Sequence, residues 1–283
     1  MRYQFTIQPA RKAGRGSVLV FAAIVSAAVA SYLFAACGER NPDRAGAEET
    51  AVTTPSPVPA PPAPVSNTPQ PTTAPEFYKV GRDAWRSGAF AQAESAFVQA
   101  VALDSTHVKS RLYLSRVLLE TGRAEEALSH IDAAIALDSS SSEPFRLQGR
   151  AYQALGRNDD AISAFKRAIV TDSGDVWALN NLGSLYITLG RFEDALGPIA
   201  RAIELEKNVA IFHNSLGTAL EKTGHYTAAA EAYRGALAVE GTYGPAATNL
   251  ARVEQLKEDP ATPPVDLAAV VQKFRDEVAT WKQ

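Results

Sequence analysis

A period of 34 residues governs this chain from about residue 76 onward. Gly88, Gly122, Gly156, Gly190 and Gly224 follow one another at that interval. Ala93, Ala127, Ala161, Ala195 and Ala229 keep the same step, as do Ala100, Ala134, Ala168, Ala202 and Ala236. A fourth column reads Gly81, Ser115, Gly149, Gly183, Gly217 and Ala251, and a fifth holds Phe97, Ile131, Phe165, Ile199 and Tyr233. Independent columns that stay in phase this long mean that one structural unit is repeated, as in a solenoid whose units bury their apolar faces against each other.

Within each unit the apolar spacing is that of two helices. In the fourth, Leu179, Leu182, Gly183 and Tyr186 recur at i, i+3, i+4 and i+7, and Gly190-Arg191 closes that helix. Ala195, Ile199, Ala202, Ile203 and Leu205 then make the stripe of a second helix. The small residues let helices approach closely, and large neighbours such as Tyr186 and Ile199 fill the remaining volume.

This pattern resembles the tetratricopeptide repeat, a helix-turn-helix unit of the same length. The resemblance covers residues 74–243 as five units, with a partial sixth from Pro245 to Leu256. It implies an all-α fold: a right-handed α-solenoid of five 34-residue helix-turn-helix repeats plus a partial sixth, over residues 76–257, with a C-terminal capping helix in 265–283. The proline common after the family's second helix is replaced by Ser105, Ser139, Ser173, Lys207 and Gly241. Asp-Ser still ends a helix, because both side chains compete for backbone groups. Gly197-Pro198, inside the fourth second helix, predicts a local kink. The last segment places Leu267, Val270, Val271, Phe274, Val278 and Trp281 on one helical face, suited to covering the bare end of a solenoid. It lacks the basic face of a membrane-surface helix and the sustained heptads of a coiled coil.

The residues before the repeats divide into two zones. Residues 1–36 carry Arg2, Arg11, Lys12 and Arg15 and no acid, and the stretch from Ser17 to Ala36 is uncharged. That is the length of a bilayer span, and the preceding cations keep the N-terminus cytoplasmic. The zone ends Leu33-Phe34-Ala35-Ala36-Cys37-Gly38, and Cys37 is the only cysteine. One cysteine excludes an intramolecular disulfide framework and a multi-cysteine zinc site. Its setting resembles the lipobox of bacterial lipoproteins, which implies cleavage before Cys37 and lipidation of its thiol. An uncleaved single-pass inner-membrane anchor is the alternative. Either way the remainder is expected outside the cytoplasmic membrane, in the cell envelope. In a Gram-negative cell Gly38 would, by family convention, permit transit to the outer membrane.

Residues 37–75 are expected to be a disordered Pro-rich linker. Ten of the 17 prolines fall between Pro42 and Pro75, with Ala, Thr and Ser and few large apolar residues. Prolines bias such a chain toward polyproline II, so it suits a semi-rigid spacer, or a Pro-rich ligand for another protein.

Charge supplies the functional reading. The formal net charge of −3 conceals +4 in residues 1–36, −2 in 37–75 and −5 in 76–283, and gives no argument for nucleic-acid binding. No phosphate loop, nucleophile elbow or zinc-protease helix occurs, and His107, His130, His213 and His225 fall in separate repeats without ligand spacing. No catalytic residue, metal or cofactor is therefore assigned, and the chain reads as non-enzymatic. In the resembled family the first helices line a concave surface that receives an extended peptide or partner helix. Its columns here hold Tyr78, Arg82, Arg86, Arg116, Arg146, Arg150, Asn180, Ser184, Asn214 and Thr218. With their flanks they contain eight Arg or Lys against three Glu, crowded into the first three repeats. That suits an acidic segment or terminal carboxylate at one end and peptide-backbone bonding at the other, the alternative being a solvated charged face. The expected role is a membrane-anchored scaffold for envelope assembly or secretion machinery. The competing role is an accessory subunit of an envelope glycosyltransferase or peptidase on a separate chain.

Overall fold

The computed structural model describes residues 70–282. The expected signal segment, Cys37 and most of the linker lie outside them. Five helix pairs follow one another: α1 Ala74–Arg86 with α2 Phe90–Leu103, α3 Val108–Glu120 with α4 Ala124–Leu137, α5 Glu143–Ala154 with α6 Asn158–Thr171, α7 Val176–Thr188 with α8 Phe192–Leu205, and α9 Ala210–Lys222 with α10 Tyr226–Val239. A lone sixth first helix, α11 Gly244–Val253, and a final helix, α12 Leu267–Trp281, complete the chain. The described residues contain no strand.

Each pair turns on its periodic glycine. Gly88, Gly122, Gly156, Gly190 and Gly224 have φ of 78°, 79°, 72°, 73° and 86°, a region that side chains disfavour. The second helices end on an acid in extended conformation, at Asp104, Asp138, Asp172, Glu206 and Glu240. The side chains of Asp104, Asp138 and Asp172 accept the backbone N–H two residues on, at 2.8–2.9 Å. Glu206 does the same toward Asn208 at 3.0 Å. This is how the chain stops four of its five second helices without the proline.

In four of the five repeats the small-residue column is pressed against the large one. A Cβ built on Gly81 would stand 2.6 Å from the Phe97 ring, and one on Gly217 would stand 2.5 Å from Tyr233. Gly183 meets Ile199 in the same way. Phe97, Ile131, Phe165, Ile199 and Tyr233 are all fully buried. Each such side chain contributes roughly 1.5–3 kcal/mol by leaving water.

Curvature follows from which helices meet. Each first helix packs on the first helix of the next repeat, from α1 on α3 to α9 on α11. Successive second helices make marginal contact at most. The first helices therefore line the inner, concave side and the second helices splay on the outer side.

The expected capping helix is present, and it buries Val271, Phe274 and Val278. It does not stack on α11. It folds back over α8 and, less extensively, α6, where the splayed second helices leave room. Phe274 sits on Gly197, where a Cβ would lie 2.8 Å from Phe274 Cβ. In the other repeats that column reads Ser95, Ser129, Ser163 and Glu231, all exposed, and only Gly197 is buried. Lys166 reaches α12 from α6, with Nζ 4.3 Å from the Trp281 ring centroid and 3.5 Å from Glu277. The kink expected at Gly197-Pro198 does not divide the element, for α8 runs unbroken from Phe192 to Leu205. Pro198 removes one backbone donor, and the helix is held on both sides by Gly183–Ile199 packing and by α12.

Two glycine substitutions separate the two uses of glycine. Gly149→Ala places a Cβ 2.5 Å from the Phe165 ring, and overpacking of this kind costs about 1–3 kcal/mol. Gly156→Ala meets nothing within 4 Å but keeps φ at 72°, which costs about 1–2 kcal/mol through the backbone alone. Urea unfolding measures both losses. Near-ultraviolet dichroism should change for Gly149→Ala and stay unchanged for Gly156→Ala.

Candidate functional site

The concave face is built from α1, α3, α5, α7 and α9, and all ten expected groove residues lie on these helices. They do not form one open surface. Tyr78, Arg82, Arg86, Arg116, Arg150 and Thr218 are partly exposed. Arg146, Asn180, Ser184 and Asn214 are buried, at 7%, 0%, 4% and 8% exposure. They belong to the floor of the groove, where successive first helices touch.

The expected free basic face is corrected by ion pairs between repeats. Arg116 Nη2 lies 2.9 Å from Glu143, Arg150 Nη2 lies 3.0 Å from Glu120, and Arg146 Nε lies 3.1 Å from Asp175. The Arg146–Asp175 side chains are each 8% exposed. Burial lowers the Arg146 pKa and the Asp175 charge opposes that shift. A pair this deep is maintained because removing either partner would leave a charge in a poor solvent. These arginines therefore act first as fasteners between adjacent repeats. The partners stand 27, 30 and 29 residues apart, a little short of one period, so a search for opposite charges at that offset would have found them.

The first two repeats hold an aromatic cluster of Tyr78, Trp85 and Tyr113, of which only Tyr78 is among the expected groove residues. Tyr113 on α3 stands edge-on to both, with ring centroids 5.4 Å from Tyr78 and 5.5 Å from Trp85. The Arg116 guanidinium lies 5.4 Å from the Tyr113 ring and 5.9 Å from Trp85. All three rings are partly exposed. Burial, then the neighbouring Tyr113, push the Tyr78 hydroxyl up to about 12, so it stays protonated at neutral pH. Tyr113 was missed because it belongs to the column facing the preceding first helix.

The other end of the floor is made of amides and hydroxyls. Asn249 Nδ2 donates to Asn214 Oδ1 at 3.0 Å. The side-chain amides of Asn180 and Asn181 are buried and make no hydrogen bond among the described residues. Each such group forgoes about 1–3 kcal/mol. Near the last repeat, Arg252 donates two bonds to Glu221, of 2.9 and 2.7 Å, and Tyr233 donates a third of 2.8 Å. No group of three or more His, Cys, Asp or Glu gathers into a metal-binding cluster among the described residues.

Glu221 makes this face sensitive to acid. Burial alone would raise its pKa, but the bonds from Arg252 and Tyr233, with the charges of Arg252 and Lys222, outweigh it and hold the carboxyl below its ordinary range. A carboxyl depressed on folding contributes stability above its unfolded pKa of about 4.3 and loses it as pH falls through the folded value. The Tm should therefore drop more steeply for the wild type than for Glu221→Gln between about pH 5 and pH 3. Parallel melting curves across that window would contradict this.

Comparison with known proteins agrees with the architecture. A tetratricopeptide-repeat family profile matches residues 78–142, 146–209 and 180–247. No curated protein matches the chain. Among solved structures, a thermophilic TPR protein of Thermus thermophilus is 19% identical with a TM-score of 0.57, over 65% of this chain and 100% of that one. Pseudomonas aeruginosa pilF is 17% identical with a TM-score of 0.56, over 72% of this chain and 97% of that one. A chain of the APC/C hetero-tetramer Cut9-Hcn1 is 18% identical with a TM-score of 0.60, over 71% of this chain and 42% of that one. At these identities the likeness concerns the fold. Together with the periodic glycines, the ring-on-glycine contacts and the stacked first helices, the profile match over more than half its length places this chain in the tetratricopeptide-repeat family.

Proposed function

We propose that this protein is a non-enzymatic scaffold, held at the outer side of a membrane by its N-terminal segment, that binds an extended peptide or a helix of a partner along the concave face. The tetratricopeptide-repeat fold supports a protein-interaction role. The observation that carries the peptide reading is the composition of the concave face. Its N-terminal end offers partly exposed rings and arginines, and its floor carries amides whose hydrogen bonds the fold leaves unmade. An extended backbone has both donors and acceptors to give them. Asn180 and Asn181 lie beneath the surface, so this engagement requires α5, α7 and α9 to part slightly. With Arg116, Arg146 and Arg150 already facing carboxylates, the acidic preference rests chiefly on α1, where Arg82 and Arg86 share Asp83.

The membrane part rests on sequence: the uncharged stretch before Cys37 and the small residues flanking it. No described helix is long and apolar enough to cross a membrane, and that stretch lies outside the described residues.

A photo-crosslinking residue at Arg82 or Thr218, on the concave side, should capture a partner in membranes, and one at the exposed outer-face Ser163 should not. Equal yields from both sides would remove the concave-face reading. Metabolic labelling with a fatty-acid analogue should mark the chain and fail on Cys37→Ser. Label retained on the serine variant would exclude lipidation at this residue.

A further inference from the structure

We infer that the aromatic ladder on α1 and α3 is a seat for a polyproline II segment, and that its resident occupant is the chain's own Pro-rich segment around Pro59–Pro64. This deepens the concave-face reading and rests on it.

The geometry of the ladder sets the ligand class. Tyr78 and Trp85 are seven residues apart on α1, about 10.5 Å along the helix axis. Tyr113 stands between them, edge-on to both. One turn of polyproline II is three residues and about 9.3 Å long. Prolines three apart in sequence therefore match the spacing of Tyr78 and Trp85, one proline against each ring, the manner in which aromatic-lined grooves recognise such segments. Polar chemistry agrees. A proline-rich segment offers carbonyl acceptors and few N–H donors. The polar groups set among these rings are chiefly donors: Arg82 and Arg116, and the Trp85 indole. Arg82 and Arg116 are partly exposed, whereas Trp85 Nε1 and Arg82 Nε lack an acceptor among the described residues and are themselves buried, so a segment reaches those two only if the rings shift.

The occupant is named by the chain itself. Pro59 and Pro62, and Pro61 and Pro64, have the three-residue spacing. The sequence meets the solenoid at the right end, since α1 begins directly after it. Thr72 and Thr73 donate backbone bonds of 2.8 and 3.0 Å to Glu76, which fixes the entry, and Pro71 is already partly buried. From Pro64 to Thr73 is nine residues, a reach of about 28 Å at 3.1 Å each. Trp85, the far ring, is twelve residues along α1 from Thr73, about 18 Å. The segment can therefore turn back along the face. A segment joined to its site by so short a connection competes at an effective concentration of about millimolar. A partner for the first two repeats must then displace the tether.

The test uses the full chain in detergent micelles and a second full chain in which residues 54–69 are a Gly/Ser run of equal length. A synthetic peptide of residues 53–71 is titrated onto each and read by calorimetry and by the fluorescence change that Trp85→Phe abolishes. The peptide should bind the replaced chain saturably and the natural chain at least about ten-fold more weakly. A peptide with Pro59, Pro61, Pro62 and Pro64 changed to Ala should not bind. Tyr78→Ala and, separately, Arg82→Ala in the replaced chain should each weaken binding with the melting curve retained. Absence of saturable binding to the replaced chain overturns the inference. Equal affinity for both chains also overturns it, leaving the seat to a partner's segment. Crosslinking of a partner at Arg82 and Thr218 without peptide binding would reject this inference alone. Failure of both would reject the concave-face reading with it.

Discussion

Four of the five repeats close on a large side chain laid over a glycine. Phe97 over Gly81, Phe165 over Gly149 and Tyr233 over Gly217 bring first and second helices closer than any Cβ would permit without displacement. Ile199 plays the same part over Gly183. That spacing determines how the next first helix can lie, and so the inner row of first helices and the splay of the second ones. The concave face is thus a consequence of a contact made on the other side of the same helices.

The repeat was legible from sequence because its constraints act locally and recur. A glycine with φ near 75° must terminate a helix wherever it falls, and five of them at equal intervals mark five turns. The turn-forming acids at Asp104, Asp138 and Asp172 were legible for the same reason. What was not legible depended on pairing across repeats. Arg146 looks like an exposed cation in its own column, and only the fold brings Asp175 to it. Gly197-Pro198 looks like a helix defect until Phe274, 77 residues later in the sequence, is found resting there. The departure of Gly197 from a column of serines and a glutamate was the available signal.

Interrepeat ion pairs also change what the concave face can select. An arginine already bonded to a neighbouring carboxylate offers a partner less net charge than its count suggests, and an incoming anion must compete with that carboxylate. Selectivity then shifts from charge toward shape, and toward the rings of Tyr78, Tyr113 and Trp85 where the first helices begin. The polar floor near Asn180 and Asn214 is suited to a backbone irrespective of its side chains. One end of the face thus discriminates by ligand conformation, and the other tolerates sequence variation.

The helix α12 gives the array a long-range connection. In a plain solenoid each unit touches only its neighbours, so it can fray from either end and fold from any point. Here Arg275 bonds Glu204, 71 positions earlier, and Phe274 covers a site that polar residues occupy in every other repeat. During synthesis that apolar patch on α8 stays bare until α12 has emerged. The middle repeats therefore reach full stability only once α12 has docked, and a product lacking α12 would expose the patch.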